Sequence, residues 1–188
     1  MRQVPNLITA IRILLIVPIS ISLAHRQLLS TIALFGLAAG TDVADGFLAR
    51  RFGWQTELGS ILDPIADKLL LATMFVTLAV LKLVPLWLMI AAVVRDAVIV
   101  TGAAAYRFFI GPVVGRPTLV SKFNTLCQGA FILAVVARAA FDWPPDWAAT
   151  LLGALVLSTV AISGVDYVLR YGRLAARAPQ HGAAAGES

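Results

Sequence analysis

Six apolar runs, at residues 7–24, 29–48, 58–81, 84–106, 119–141 and 148–169, take up most of the chain. Each has about the 17 to 25 residues that a helix rising ~1.5 Å per residue needs to cross hydrocarbon. The runs predict an all-α fold, an integral membrane bundle of six transmembrane helices. With 60% apolar residues and a mean hydropathy of +0.88, the 188-residue chain is too hydrophobic for an ordinary soluble domain.

The formal charge of +5 would fit a nucleic-acid binder, but most of the basic residues stand at the ends of the apolar runs. There they orient a membrane protein. With a cytoplasmic N-terminus, the inner side collects Arg2, Arg50, Arg51, Arg107, Arg116, Lys122, Arg170, Arg173 and Arg177, and the outer side only Arg26, Lys82 and Arg138. Both termini are expected in the cytoplasm, in a bacterial inner membrane, and no nucleic acid is expected as a partner. Arg2 followed by an apolar stretch and Ser22-Leu23-Ala24 imitates a signal peptide, but Arg12 inside the stretch argues for a retained helix. A single cysteine, Cys127, can build neither a disulfide nor a thiolate metal site within one chain.

Connections are short except at Gly53–Glu57 and at Phe109–Pro117, where Gly111, Pro112, Gly115 and Pro117 would break a helix. The outer turn from Phe141 to Trp147 sets tryptophans at the membrane interface. Gly36 and Gly40 have a spacing that lets helices approach, and are expected to pack closely within the bundle. Residues 1–174 form one membrane domain. From Ala175 to Ser188 the chain lacks an apolar face that could offset the entropy of ordering, and a disordered cytoplasmic tail is expected.

Chemistry concentrates in the second and third runs, which carry Asp42, Asp45, Asp63 and Asp67. An ionisable residue at membrane depth costs about 3 kcal/mol on insertion scales and usually marks a site or a solvated cavity. Asp42 and Asp45 are three apart, Asp63 and Asp67 four apart, so each pair shares a helix face. Asp45 lies nine residues before Trp54 and Asp63 nine after it, so antiparallel helices would bring the pairs to nearly equal depth. Four carboxylates in a low dielectric raise one another's pKa and need compensation, most simply from one or two divalent cations. Oxygen ligands without a nearby His or Cys favour Mg²⁺ or Mn²⁺ over zinc. Gly46 would admit a close ligand, and Arg50 offers a planar fork for phosphate. The inert reading of the same residues is a set of salt bridges from the aspartates to Arg12, Lys68 or Arg95.

The string Asp42-x-x-Asp45-Gly46-x-x-Ala49-Arg50, then eight residues to Gly59, three more to Asp63 and three more to Asp67, resembles the full signature of the CDP-alcohol phosphotransferase family. The resemblance implies six spans and two divalent cations held by the aspartates. Asp42, Asp45 and Asp63 would be ligands, and Asp67 both borders the metal site and acts as the general base. It also implies CDP binding by Asp42, Gly46, Ala49, Arg50 and Gly59, and a homodimer. The implied reaction moves a phosphatidyl group from CDP-diacylglycerol to an alcohol, with release of CMP.

Residues Asn6 to Arg12, Arg95-Asp96 and Pro117 to Thr125 are similar to phosphatidylglycerophosphate and cardiolipin synthases of that family. Asn6, Thr9, Arg12, Arg95 and Lys122 are therefore the acceptor or phosphate-binding candidates. Phosphatidylglycerol is the favoured acceptor, making the chain a cardiolipin synthase, with glycerol 3-phosphate as the alternative. Both present a glycerol hydroxyl beside a phosphate. A divalent cation transporter would also use membrane carboxylates, but leaves Gly46, Ala49, Arg50 and Gly59 without a role. A scaffold without activity could keep the same motif.

Overall fold

The computed structural model describes the backbone of residues 4–52, 57–109 and 119–177, and the side chains of residues 9–41, 63–102 and 120–166. Among these residues the chain is all-helical: α1 (Val4–Ala24), α2 (Leu28–Phe52), α3 (Glu57–Val80), α4 (Leu86–Phe109), α5 (Leu119–Phe141) and α6 (Asp146–Arg177). The helices follow the apolar runs closely. α6 overruns its apolar run, because nothing between Leu169 and Arg177 forbids helix once a turn has been nucleated. It also passes the expected start of the tail at Ala175; residues 178–188 lie outside the described ones, as do the segments 53–56 and 110–118.

The packing is a ring in the order α1, α2, α5, α6, α4, α3 and back to α1, with α3 also touching α5 across the middle. Helix α1 lies against both α2 and α3, which do not meet each other among the described residues. The first helix thus joins the two helices that carry the aspartates.

Two ends of the ring differ in chemistry. The half nearer the 25–27, 81–85 and 142–145 turns holds the apolar core, with Ile19, Leu23, Phe35, Met74, Phe75, Leu78, Leu88, Ile132, Val136 and Val156. The half nearer the α1 N-terminus buries Thr9, Arg12, Arg95, Asp96, Asn124, Thr159 and Ser163. The outer surface reverses the usual order: Leu14, Val17, Leu29, Val80, Leu86, Leu126 and Leu151 are all more than half exposed. Charges inside and aliphatic side chains outside suit a chain solvated by hydrocarbon. Among the described residues, Val120–Phe141 and Asp146–Asp166 are long and apolar enough to cross a membrane, and Thr9–Ala24 and Leu28–Thr41 are shorter apolar stretches. The hydroxyls of Ser20, Thr31, Thr73, Thr77, Thr101, Thr125, Thr150 and Ser158 are satisfied by the carbonyl four residues earlier in the chain.

Of the three basic residues at the sparsely charged end, two sit in turns and Arg138 lies in the last turn of α5. Arg26 (φ 56°) and Lys82 (φ 61°) are left-handed residues just past α1 and α3. Around them, Arg26 N–H donates to Leu23 and Gln27 N–H to Ser22, and Lys82 N–H to Ala79 and Leu83 N–H to Leu78. These paired bonds close each helix end in a Schellman motif. Arg138 donates to the Pro144 carbonyl at 2.8 Å and pairs with Asp146 at 2.5 Å, tying α5 to the start of α6.

Gly36 and Gly40 do not pack within the bundle as their spacing suggested. A Cβ at either would meet nothing within 4 Å, because both face outward on α2. The close approach is at Gly153 of α6, where a Cβ would come within 3.3 Å of the Phe131 ring, itself stacked on Phe75 at a centroid distance of 6.0 Å. Gly153→Leu is expected to destabilise the bundle by roughly 1–3 kcal/mol through overpacking. Gly36→Ala and Gly40→Ala should stay within about 0.5 kcal/mol. Thermal unfolding of detergent-solubilised protein measures all three.

Candidate active site

The described part of the acidic cluster is one face of α3. Asp63 and Asp67 are separated by a single turn, and both side chains are partly exposed where they face α1. Thr9 Oγ1 of α1 donates a hydrogen bond to Asp63 Oδ1. One turn along α1, Arg12 Nη1 donates to Asp67 Oδ1 at 2.9 Å; Arg12 is 2% exposed and the Asp67 side chain 32%. Residues three apart on α1 thus meet residues four apart on α3, as two parallel helices in contact should. Asp67 is thus partly exposed and held by a buried guanidinium.

Behind this face lies a second charged layer. Asp96 of α4 receives Lys68 Nζ at 2.7 Å and Arg95 Nη1 at 2.5 Å. Arg95 Nη2 donates to Ser163 of α6 and, at 3.1 Å, to Ser121 of α5. One arginine, buried to all but 6%, therefore joins α4, α5 and α6, and Lys68 ties that junction to α3 next to Asp67. Among the described residues, the salt-bridge reading of the sequence holds for Asp67, and Lys68 and Arg95 pair with Asp96, outside the signature.

The other expected site residues divide as follows. Thr9, Arg12, Asp63 and Asp67 come together. Arg95 lies one layer behind them. Lys122, next to Ser121, is exposed, and no described contact joins it to Arg95. Asp42, Asp45, Gly46, Ala49 and Arg50 belong to α2, Gly59 to α3 and Asn6 to α1, but their side chains lie outside the described residues. Among those described, no three His, Cys, Asp or Glu converge.

Chemically, the described half of the cluster offers two carboxylates one turn apart and the Thr9 hydroxyl, all hard oxygen donors. That set fits Mg²⁺ or Mn²⁺ and not a soft or imidazole-seeking metal. Sequence reading offered Lys68 as an ion-pair partner of the signature aspartates and missed Asp96 as the carboxylate that it meets. The signal was present: Lys68 follows Asp67 directly, and a lysine inside an apolar run needs a buried partner.

Residues 2–165 match the CDP-alcohol phosphatidyltransferase family model, and the chain belongs to that family. Human cardiolipin synthase (CMP-forming) is 28% identical over 186 residues, which is 90% of this chain and 62% of the human protein. A probable phosphatidylglycerophosphate synthase of Mycobacterium tuberculosis is 30% identical over 172 residues, covering 88% of this chain and 79% of that protein. A CDP-diacylglycerol–glycerol-3-phosphate 3-phosphatidyltransferase of Pseudomonas fluorescens is 45% identical over 80 residues, 40% of each chain. The chain spans about three fifths of the length of its human and rat relatives.

Asp96 is the residue on which the second layer turns. Asp96→Asn should cost roughly 3–5 kcal/mol, because two buried cations lose their counter-charge. Adding Lys68→Met should restore part of that loss. A double-mutant cycle on unfolding free energy measures the coupling, and additive losses would mean that Lys68 and Asp96 do not interact.

Proposed function

We propose that this chain is a six-span membrane enzyme that transfers the phosphatidyl group of CDP-diacylglycerol to a glycerol hydroxyl of phosphatidylglycerol, forming cardiolipin and CMP. The observation that carries the reading is the pairing of Asp63 and Asp67 with Thr9 and Arg12 at the polar end of a bundle whose outer surface is aliphatic. The family match supports the reaction class and the lipid-facing surface supports six spans, with the aspartates on the cytoplasmic side of a bacterial inner membrane.

In this reading Asp67 takes the proton of the acceptor hydroxyl as its oxygen attacks the phosphatidyl phosphorus. The bond from that phosphorus to the CMP phosphate breaks, and its electron pair leaves with CMP. Arg12 holds the Asp67 carboxylate in place for that step, and Thr9 holds Asp63 in the same way. Arg12 thus acts on a carboxylate before it acts on a substrate phosphate. Two divalent cations held by Asp42, Asp45, Asp63 and Asp67 would neutralise pyrophosphate charge when bound. Gly46, Ala49, Arg50 and Gly59 belong with the cytidine nucleotide, a role that a cation transporter would not give them. The homodimer implied by the family resemblance is part of the same proposal.

A second acceptor, glycerol 3-phosphate, is favoured by the Mycobacterium relative, of whose length this chain covers the larger share. One assay separates the two. Purified protein in mixed micelles receives labelled CDP-diacylglycerol with Mg²⁺ or Mn²⁺ and either acceptor alone. Labelled cardiolipin from phosphatidylglycerol is the expected product, and EDTA should abolish it. Asp67→Asn should lower turnover about 10²–10⁴-fold, the usual contribution of a general base. Phosphatidylglycerophosphate from glycerol 3-phosphate would replace the acceptor and keep the mechanism. No CMP release with either alcohol would overturn the proposal.

A further inference from the structure

Further from the aspartates than the Arg95 layer, α5 turns two amide side chains into the bundle. Asn124 and Gln128 are one turn apart on one face, and neither has any exposed surface. Asn124 Oδ1 accepts a 2.9 Å hydrogen bond from Thr159 Oγ1 of α6. The remaining amide atoms are unmatched: Asn124 Nδ2, Gln128 Nε2 and Gln128 Oε1 are buried without a partner among the described residues. Arg95 Nε, at the upper end of the same seam, is in the same position.

Buried polar groups in native proteins are hydrogen-bonded, and those that find no protein partner bond to internal water. The needs here are specific. Two NH₂ groups require acceptors and one carbonyl requires a donor, so an ion of either sign would serve only part of the set. An acyl chain would serve none of it. Complete burial of both side chains limits the occupant to something very small. The seam has an apolar floor: Phe131, one turn past Gln128, is stacked on Phe75 of α3 and pressed against Gly153 of α6.

We infer that Asn124 and Gln128 hold a cluster of buried water inside the bundle, between the Asn124–Thr159 bond and the Phe75–Phe131 stack. The water completes the amides, so α5 is joined to its neighbours at this depth by a hydrated seam rather than by dry packing. The site does not depend on the reaction proposed above, and it stands whichever acceptor the chain uses.

Hydroxyl-radical footprinting by short X-ray pulses tests it on the full chain in detergent micelles, because radicals form from water where the water is held. Phe131 (5% exposed) and Cys127 (8%) should label several-fold faster, after correction for intrinsic reactivity, than Leu23 and Leu78, which are fully buried in the apolar half. Gln128→Leu should remove that excess. If that variant does not fold, Gln128→Met keeps the length of the side chain and serves in its place. Phe131 and Cys127 labelling no faster than Leu23 and Leu78, or equally in the wild type and the Gln128 variant, would overturn the inference. So would an experimental density map in which the Gln128 amide bonds directly to Asn124 with no water between.

Discussion

Everything at the polar end of this bundle depends on pairing charge across helices where water cannot supply the counter-charge. A lone carboxylate or guanidinium in that setting is costly enough to shift its proton or to exclude the fold. Among the described residues the chain meets the problem twice, with Arg12 on Asp67 and with Lys68 and Arg95 on Asp96. The two sets are linked along the backbone, since Asp67 and Lys68 are neighbours on α3. Two cations for one carboxylate at Asp96 leave that layer positive, directly behind a face that is negative at Asp63 and Asp67. The face that carries Asp63 and Asp67 is thus backed by a layer of side chains held in place by ion pairs across helices.

The same pairing explains the position of α1. A first helix without polar residues could lie anywhere on the outside of the ring, because hydrocarbon and an aliphatic helix face are equivalent solvents. Thr9 and Arg12 remove that freedom by pairing with the carboxylates of α3. With α1 held there and packed also on α2, the two helices that carry the signature are joined through a third. The apolar half of the ring then closes by shape, with Gly153 making room for Phe131 where α6 comes closest to α5.

Helix number and extent were legible in the sequence because they depend on run length and on charge at the run ends, both of which survive without knowledge of neighbours. The facing of each helix was not. A helix that is apolar nearly all round gives no moment to orient it, and only its few polar residues fix the rotation. Gly36 and Gly40 illustrate the failure: their spacing is compatible with packing, but the spacing says nothing about which way the stripe turns, and it turns outward. Arg12 could be read as a phosphate ligand, since sequence supplies its charge and not its partner. The grouping of Asp63 with Asp67 was legible from a four-residue spacing alone. Their link to Thr9 and Arg12 spans more than fifty residues, and no local pattern encodes it.

Division of the bundle into a dry half and a polar half also bears on how such a chain can be stable and reactive together. The dry half carries the apolar core around Met74, Phe75, Leu78, Ile132 and Val136. The polar half holds its side chains by hydrogen bonds across helices, as those from the Arg95 Nη atoms to Asp96, Ser121 and Ser163. Such bonds are directional, so they hold side chains at fixed angles even where packing is loose. That property is what an acid cluster needs from its surroundings, and it follows from keeping the polar residues of five helices at one end of the ring.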